Sequence, residues 1–454
     1  MTCFIKAVTA VMCAALLFVV AAPASAVTPG AEHMTVYDSA EEIEPALISQ
    51  ARSGVDYVVT VYMKFNPDIN TASTLQYAVY TSSGQSTFAG LPTSSAVASY
   101  TTLADPILAQ QEGVTNPRIY LAALGKKGEM ESIDSALIIW SSDNGGLSWT
   151  APQVIKFETT ANVFFDKPAI TVGPDGSVHV AYLNFNSSTR SNTMSYLSGT
   201  YEPLNDTWSW PPFPTDVSSG NLAAPQVMVD TNDDVYILYV DGSRNSIRLV
   251  RKDATGVSFD PVSDIPNTGR LYGFLHDEFI PLKTNVSIRA VTVPVARLDR
   301  ANGRIAAAWH EGDGEGHSQV RFASLETEPG ARTWSNPLVI AAAGGHDINV
   351  GMAEDDLGKW LVTYYSFPGT GTDSYYSPVG TTVYFNGDTP MHDNGNNTII
   401  GRLGDVADYA QSPLGSGQRY LGEYHDVSYS LGTFKSVHII VAPIGNPWIF
   451  EATH

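Results

Sequence analysis

Seven times along the 454-residue chain one short pattern returns. A polar residue and a proline, or a close substitute, open an apolar strand; a turn with Gly or Asp follows, and a second apolar strand runs to an aromatic. Asp166-Lys167-Pro168 begins the fullest copy, which continues to Val172, turns through Gly173 to Gly176 and closes with Val178 to Phe185. Counted from Pro45, Pro106, Pro168, Pro225, Pro294, Asp347 and Tyr424, the intervals are 61, 62, 57, 69, 53 and 77 residues. Between the openings lie short runs rich in Val, Ile, Tyr and Thr, punctuated by Gly, Asp, Asn, Ser and Pro, so the chain reads as β-strand throughout. Glu41 to Ala51 has some helical propensity, but Pro45 interrupts it and its second half reads as a strand.

A repeat of this size holds four strands, and such a unit cannot bury its faces alone. Units of this kind stack radially, which predicts an all-β fold: a β-propeller of four-stranded blades, seven in number, with six as the alternative. Two sandwiches with similar turns are the competing architecture. After Tyr424 there is room for three strands only, while Met34 to Asp38 is an extended run with no unit of its own. That run is expected to complete the last blade and hide its edge. Two segments exceed the rhythm, Pro266 to Val291 and Pro368 to Arg419.

Residues 1–26 read as a secretory signal, with Lys6 before an apolar stretch and Ala24-Ser25-Ala26 as the cleavage site, leaving 27–454 as a single domain. Both cysteines, Cys3 and Cys13, fall inside it, so the remainder has neither disulfide nor thiol nucleophile. Without Lys6, 24 basic residues face 46 acidic ones. Such an excess repels phosphate backbones and anionic lipid, which argues against nucleic acid and membrane insertion. A secreted monomer, extracellular or periplasmic, is expected.

The segment Ser142-Asp-Asn-Gly-Gly-Leu-Ser-Trp149 resembles the Asp-box, or bacterial neuraminidase repeat, of the form Ser-x-Asp-x-Gly-x-Thr-Trp. Ser142, Gly146, Ser148 and Trp149 match, and Asn144 stands where Asp is usual. In that family the box is a structural turn. Weaker copies are Lys252 to Phe259 and Thr333 to Pro337. The resemblance implies a secreted, glycan-handling propeller similar to sialidases, which grip a substrate carboxylate with three arginines and use a Tyr nucleophile paired with Glu and an Asp acid/base. The family's Phe/Tyr-Arg-Ile-Pro run is absent here; Pro117-Arg118-Ile119-Tyr120 is the nearest segment.

In a propeller, residues at the starts of first strands and the ends of second strands share one face. This filter selects Asp347, Glu423, Asp426, Asp166 and Tyr424 as catalytic candidates. It selects Lys167, Asp105, Arg289, His310, Glu311, His346, Tyr365 and His425 as substrate-binding ones, with Glu44, Asn349 and the His276-Asp277-Glu278 cluster nearby. Several carboxyl groups converging on a concave face suit glycosidic cleavage, one kept protonated and another ionised. The bland alternative is that Asp and Glu before Pro cap blade turns. A lectin-like glycan binder and a polysaccharide lyase using Tyr and His remain open. Trp208 and Trp210 suit either sugar stacking or packing. No cofactor or catalytic metal is expected, although Asp230 to Asp234 resembles a loop that can hold a structural calcium.

Overall fold

The computed structural model describes residues 33–34, 41–65, 73–84, 86–127, 134–202, 207–272, 279–283, 286–289, 291–299, 302–327, 333–341, 344–367, 375–392, 398–399, 407–408, 414–415, 418–419, 425–441 and 447–453. The proposed signal, the His276 to Glu278 cluster, Glu423 and Tyr424 lie outside them. Among the described residues there is no helix, and the strands form antiparallel sheets of four main strands each.

Sheet I begins with Glu41–Arg52 and continues through Val55–Phe65 and Ser73–Thr81 to Ser86–Gly90. The first strands of sheets II to VI are Thr102–Gln110, Val163–Val172, Leu222–Val229, Val295–Asp299 and His346–Glu354. Sheet VII starts at Asp426–Ser430 and ends with Pro447–Thr453, on whose far edge His33–Met34 pairs antiparallel. The first and last described segments of the chain therefore share a sheet.

Each first strand packs against the next in order, and that of sheet VII against that of sheet I. The apolar clusters follow the same rule. One spans sheets I to III, others join III to IV, IV to V and V to VI, and small ones join VI to VII and VII to I through Leu47, Tyr62 and Val437. Inner and middle strands are thus covered on both faces. Ile119 to Gly125 is buried without interruption, whereas the outer strand Ser86–Gly90 alternates half-buried and exposed. Trp140, Trp309 and Trp360 are fully buried between sheets. A large apolar side chain sealed in this way contributes about 1.5–3 kcal/mol.

The two long segments pair with each other. Phe279–Lys283 and Val286–Arg289 from the first form a small sheet with Leu414–Gly415 and Gln418–Arg419 from the second, through a parallel bridge of Ile288 to Arg419. Ile280 and Ile288 join the buried cluster that holds Tyr272, Ile348, Tyr365 and Tyr376. This sheet caps the face on which sheets V and VI begin.

Candidate functional site

Five of the seven openings are β-bulges inside the first strands; Pro294 precedes its strand, which has no register shift. Register shifts fall between Ile43 and Ala46, Ala104 and Ile107, Asp166 and Ala169, Ala223 and Gln226, and Ile348 and Gly351. At each, one non-glycine residue adopts left-handed backbone: Glu44 (φ 52°), Asp105 (51°), Lys167 (45°), Ala224 (48°) and Asn349 (52°). A bulge leaves one residue without a ladder partner, so a proline costs nothing there. It also re-aims the side chain beside it.

In sheets I to III the bulges bring together Glu44, Asp105, Asp166 and Lys167, all buried. The Lys167 Nζ lies 3.6 Å from Asp105 Oδ1 and 3.9 Å from Glu44 Oε1. Burial acts to raise the Asp105 carboxyl, but Lys167, hydrogen bonding with Glu44, Lys126 and hydrogen bonding with Asp166 bring it down to about 2.

The candidates on sheets V to VII lie beside the cap. His310 is fully buried, stacks on Tyr272 with centroids 5.8 Å apart, and accepts the Asn349 amide at Nδ1 over 3.3 Å. Burial lowers its pKa to about 3, which keeps it neutral. Glu311 accepts from Trp309 Nε1 (2.8 Å) and Gln319 Nε2 (3.3 Å) and pairs with Arg321 (2.8 Å), so its carboxylate is fully engaged within its sheet. His425 bonds Thr363 through Nε2 at 2.7 Å and sits among Tyr365 and His438, with centroids 5.0 and 4.8 Å away. Its pKa is also lowered to about 3 by burial. Asp347 is buried opposite Ser366, and His346 is buried one residue before it. Arg289 lies in the cap.

Beyond the bulges a cavity of about 930 Å³ opens on the axis, lined by residues of all seven first strands or the turns that follow them. Its acid groups are Glu112 after the first strand of sheet II, Asp299 from V, Glu354 with Asp355 and Asp356 from VI, and Asp426 from VII. Burial, the Asp299 charge and a hydrogen bond with Asp299 raise the Glu354 carboxyl to about 9, so it is a neutral acid at pH 7. Asp426 accepts from Leu47 N (3.3 Å), Val427 N (2.9 Å) and Arg297 (3.2 Å). Burial raises its pKa, and Arg297 and the two amides oppose the rise. Gln50, which also lines the cavity, is buried with neither amide atom hydrogen-bonded among the described residues. The sequence filter reached Asp426 but passed over Asp299 and Glu354, which end their strands; the run Glu354-Asp355-Asp356 was the available signal.

The Ser142 to Trp149 turn is a packed structural element. Ser142 Oγ accepts the Gly146 amide (2.9 Å), while Asn144 Oδ1 accepts the Ser148 amide (2.9 Å) and its Nδ2 donates to Ser148 Oγ (2.8 Å). Asn144 thus does the turn-binding work of the usual aspartate. Gly146 has φ 82° and a Cβ there would lie 2.7 Å from Val59. Trp149 packs edge-on against Tyr77. In the Asp230 loop, Asp230 Oδ1 accepts the amides of Asn232 and Asp234, and Asp234 pairs with Arg251, so the acids are engaged locally. Trp208 and Trp210 are half-buried and stacked at 5.3 Å, beside Tyr120 and Tyr201, with Arg118 3.9 Å over the Tyr201 ring.

Arg118, Arg248, Arg251, Arg304 and Arg321 form ion pairs along second, third and fourth strands and their turns, while Arg297 faces the cavity.

No protein-family model matches the chain, and no curated protein matches it in sequence. Among solved structures, a Hadza microbial sialidase aligns over 71% of this chain and 63% of its own, at 13% identity and a TM-score of 0.49. Trypanosoma rangeli sialidase in complex with sialic acid aligns over 91% and 54%, at 10% identity and 0.44. Aleuria aurantia lectin in complex with alpha-methyl-L-fucoside aligns over 80% and 99%, at 11% and 0.43. The chain spans less than two thirds of the length of either sialidase.

Proposed function

We propose that this chain is a secreted, monomeric seven-bladed β-propeller that hydrolyses an extracellular glycan held in its axial cavity. The contacts that run from sheet to sheet and return from VII to I support seven blades in a ring, with His33–Met34 as the outer strand of the last. The Asp-box-like turn supports the carbohydrate-active class. The observation that carries the reaction is the split between two acids on neighbouring sheets. Glu354 is held neutral beside Asp299, and Asp426 is held as an acceptor by Arg297 and two backbone amides.

Glycosidic cleavage needs this division. Glu354 gives its proton to the departing glycosidic oxygen. Asp426 serves as the base that activates water, or as the nucleophile where the reacting carboxyl groups stand at about 5–5.5 Å. Gln50 supplies an amide to sugar hydroxyls, and the cavity volume falls within the range of about 300–1,000 Å³ typical of small-ligand sites. Asp166, with Glu44, Asp105 and Lys167, then fixes the first three blades around the axis.

The stacked pair Trp208 and Trp210 favours a second reading, a glycan binder that presents an aromatic face. One experiment separates them. The protein is incubated with neutral, sialylated and uronate-containing glycans while reducing ends, unsaturated uronate and binding are followed. The hydrolase reading requires new reducing ends that Glu354→Gln abolishes. Binding with silence in both chemical readouts leaves the lectin, and unsaturated uronate points to the lyase.

A further inference from the structure

The turn between Arg304–Gly312 and Ser318–Glu326 reads Asp313-Gly-Glu-Gly-His317. One donor atom from each of Asp313, Glu315 and His317 lies within 4.8 Å of the other two. Gly314 and Gly316, at φ 87° and 98° with open space around them, let three side chains two residues apart converge. Asp313 Oδ1 accepts the amides of Glu315 (2.7 Å) and His317 (3.1 Å), and Oδ2 is 3.3 Å from His317 Nδ1.

A second imidazole arrives from the next sheet. Ser318 bridges in parallel to His346, which places the buried His346 ring 5.9 Å from that of His317, centroid to centroid, at 54°. With metal–nitrogen bonds of about 2.0–2.1 Å, two imidazoles on one tetrahedral ion hold their centroids about 5–6 Å apart. The observed spacing matches. Carboxylates without histidine would suit calcium or magnesium, but two nitrogens with two carboxylate oxygens suit a borderline ion.

We propose that Asp313, Glu315, His317 and His346 bind a zinc-class divalent ion that ties sheet V to sheet VI. Four protein ligands close the coordination sphere, which makes the ion structural. It acts where backbone pairing between the two sheets is a single bridge among the described residues. The site is separate from the axial cavity, and its test does not depend on any enzymatic activity.

The test is calorimetric titration of the chelator-stripped full chain with Zn²⁺ and, separately, Ca²⁺, with thermal melting alongside. One Zn²⁺ per chain is expected, with a melting temperature that rises on binding. His317→Ala and His346→Ala should each weaken Zn²⁺ by at least about tenfold. Glu315→Ala, on the exposed tip of the turn, gives a variant whose folding is secure and should also weaken it. No Zn²⁺ binding, or tighter binding of Ca²⁺, overturns the proposal. Loss with His317→Ala but full retention with His346→Ala overturns the bridge between sheets.

Discussion

The Lys167 ammonium lies 3.6 Å from the Asp105 carboxylate, both side chains carried by left-handed residues in the first strands of adjacent sheets. Each left-handed non-glycine residue costs roughly 1–2 kcal/mol of backbone energy. The ion pair, with Glu44 and Asp166 around it, holds the strained strands together near the axis. Lys167→Met should therefore remove the ammonium that pairs with Asp105 and Glu44. Breaking a buried pair on one side costs about 3–5 kcal/mol, and a urea midpoint shifted without a change in slope would register it.

Glu354 sets a pH dependence of the opposite sign to Asp105. Its folded pKa, about 9, lies above the ordinary 4.5, so its contribution is complete below pH 4.5 and is lost as pH rises through 9. The melting temperature should fall on the alkaline side, and Glu354→Gln should flatten that fall. Asp105 is depressed from 3.8 to about 2, so its contribution is present above 3.8 and is lost as pH drops through 2. An alkaline melting curve for Glu354→Gln that superimposes on wild type would refute the assignment.

Hydrolysis should depend on both Glu354 and Asp426. Glu354→Gln and Asp426→Asn should each lower kcat by about 10²–10⁴-fold, the usual reach of acid–base catalysis. Wild-type activity should decline as pH approaches 9, where Glu354 gives up its proton. Equal activity in both variants, with the fold intact by circular dichroism, would move the chemistry elsewhere.

Two glycines separate a packed turn from an open one. Gly146→Ala adds a Cβ 2.7 Å from Val59 at φ 82°, whereas Gly314→Ala meets nothing within 4 Å at φ 87°. Both pay for backbone strain of about 1 kcal/mol, and only the first also displaces a side chain. Denaturant melts should rank Gly146→Ala clearly below Gly314→Ala.

The β-architecture was legible because proline can be read where a ladder bond is missing. Pro45, Pro106, Pro168 and Pro225 mark bulges in inner strands, and a polar residue precedes the first three. Asn349 lacks the proline yet adopts the same backbone, since Asn tolerates left-handed geometry. The candidate site was legible only in part. Asp426 begins its strand, where a filter for strand starts finds it, while Glu354 and Asp299 lie at the far end of theirs. The pairing of Ile288 with Arg419 across a long sequence separation leaves no local mark. The His317–His346 neighbourhood is likewise a product of one bridge between sheets, invisible to spacing along the chain.

The pairing of His33–Met34 with Pro447–Thr453 has a kinetic meaning. Residues 33–34 wait for residues 447–453, so sheet VII cannot be finished until those have been made. A growing chain stays unlocked for that interval. One interrupted before residue 447 would carry an unsatisfied strand edge, an open mark for quality-control proteases.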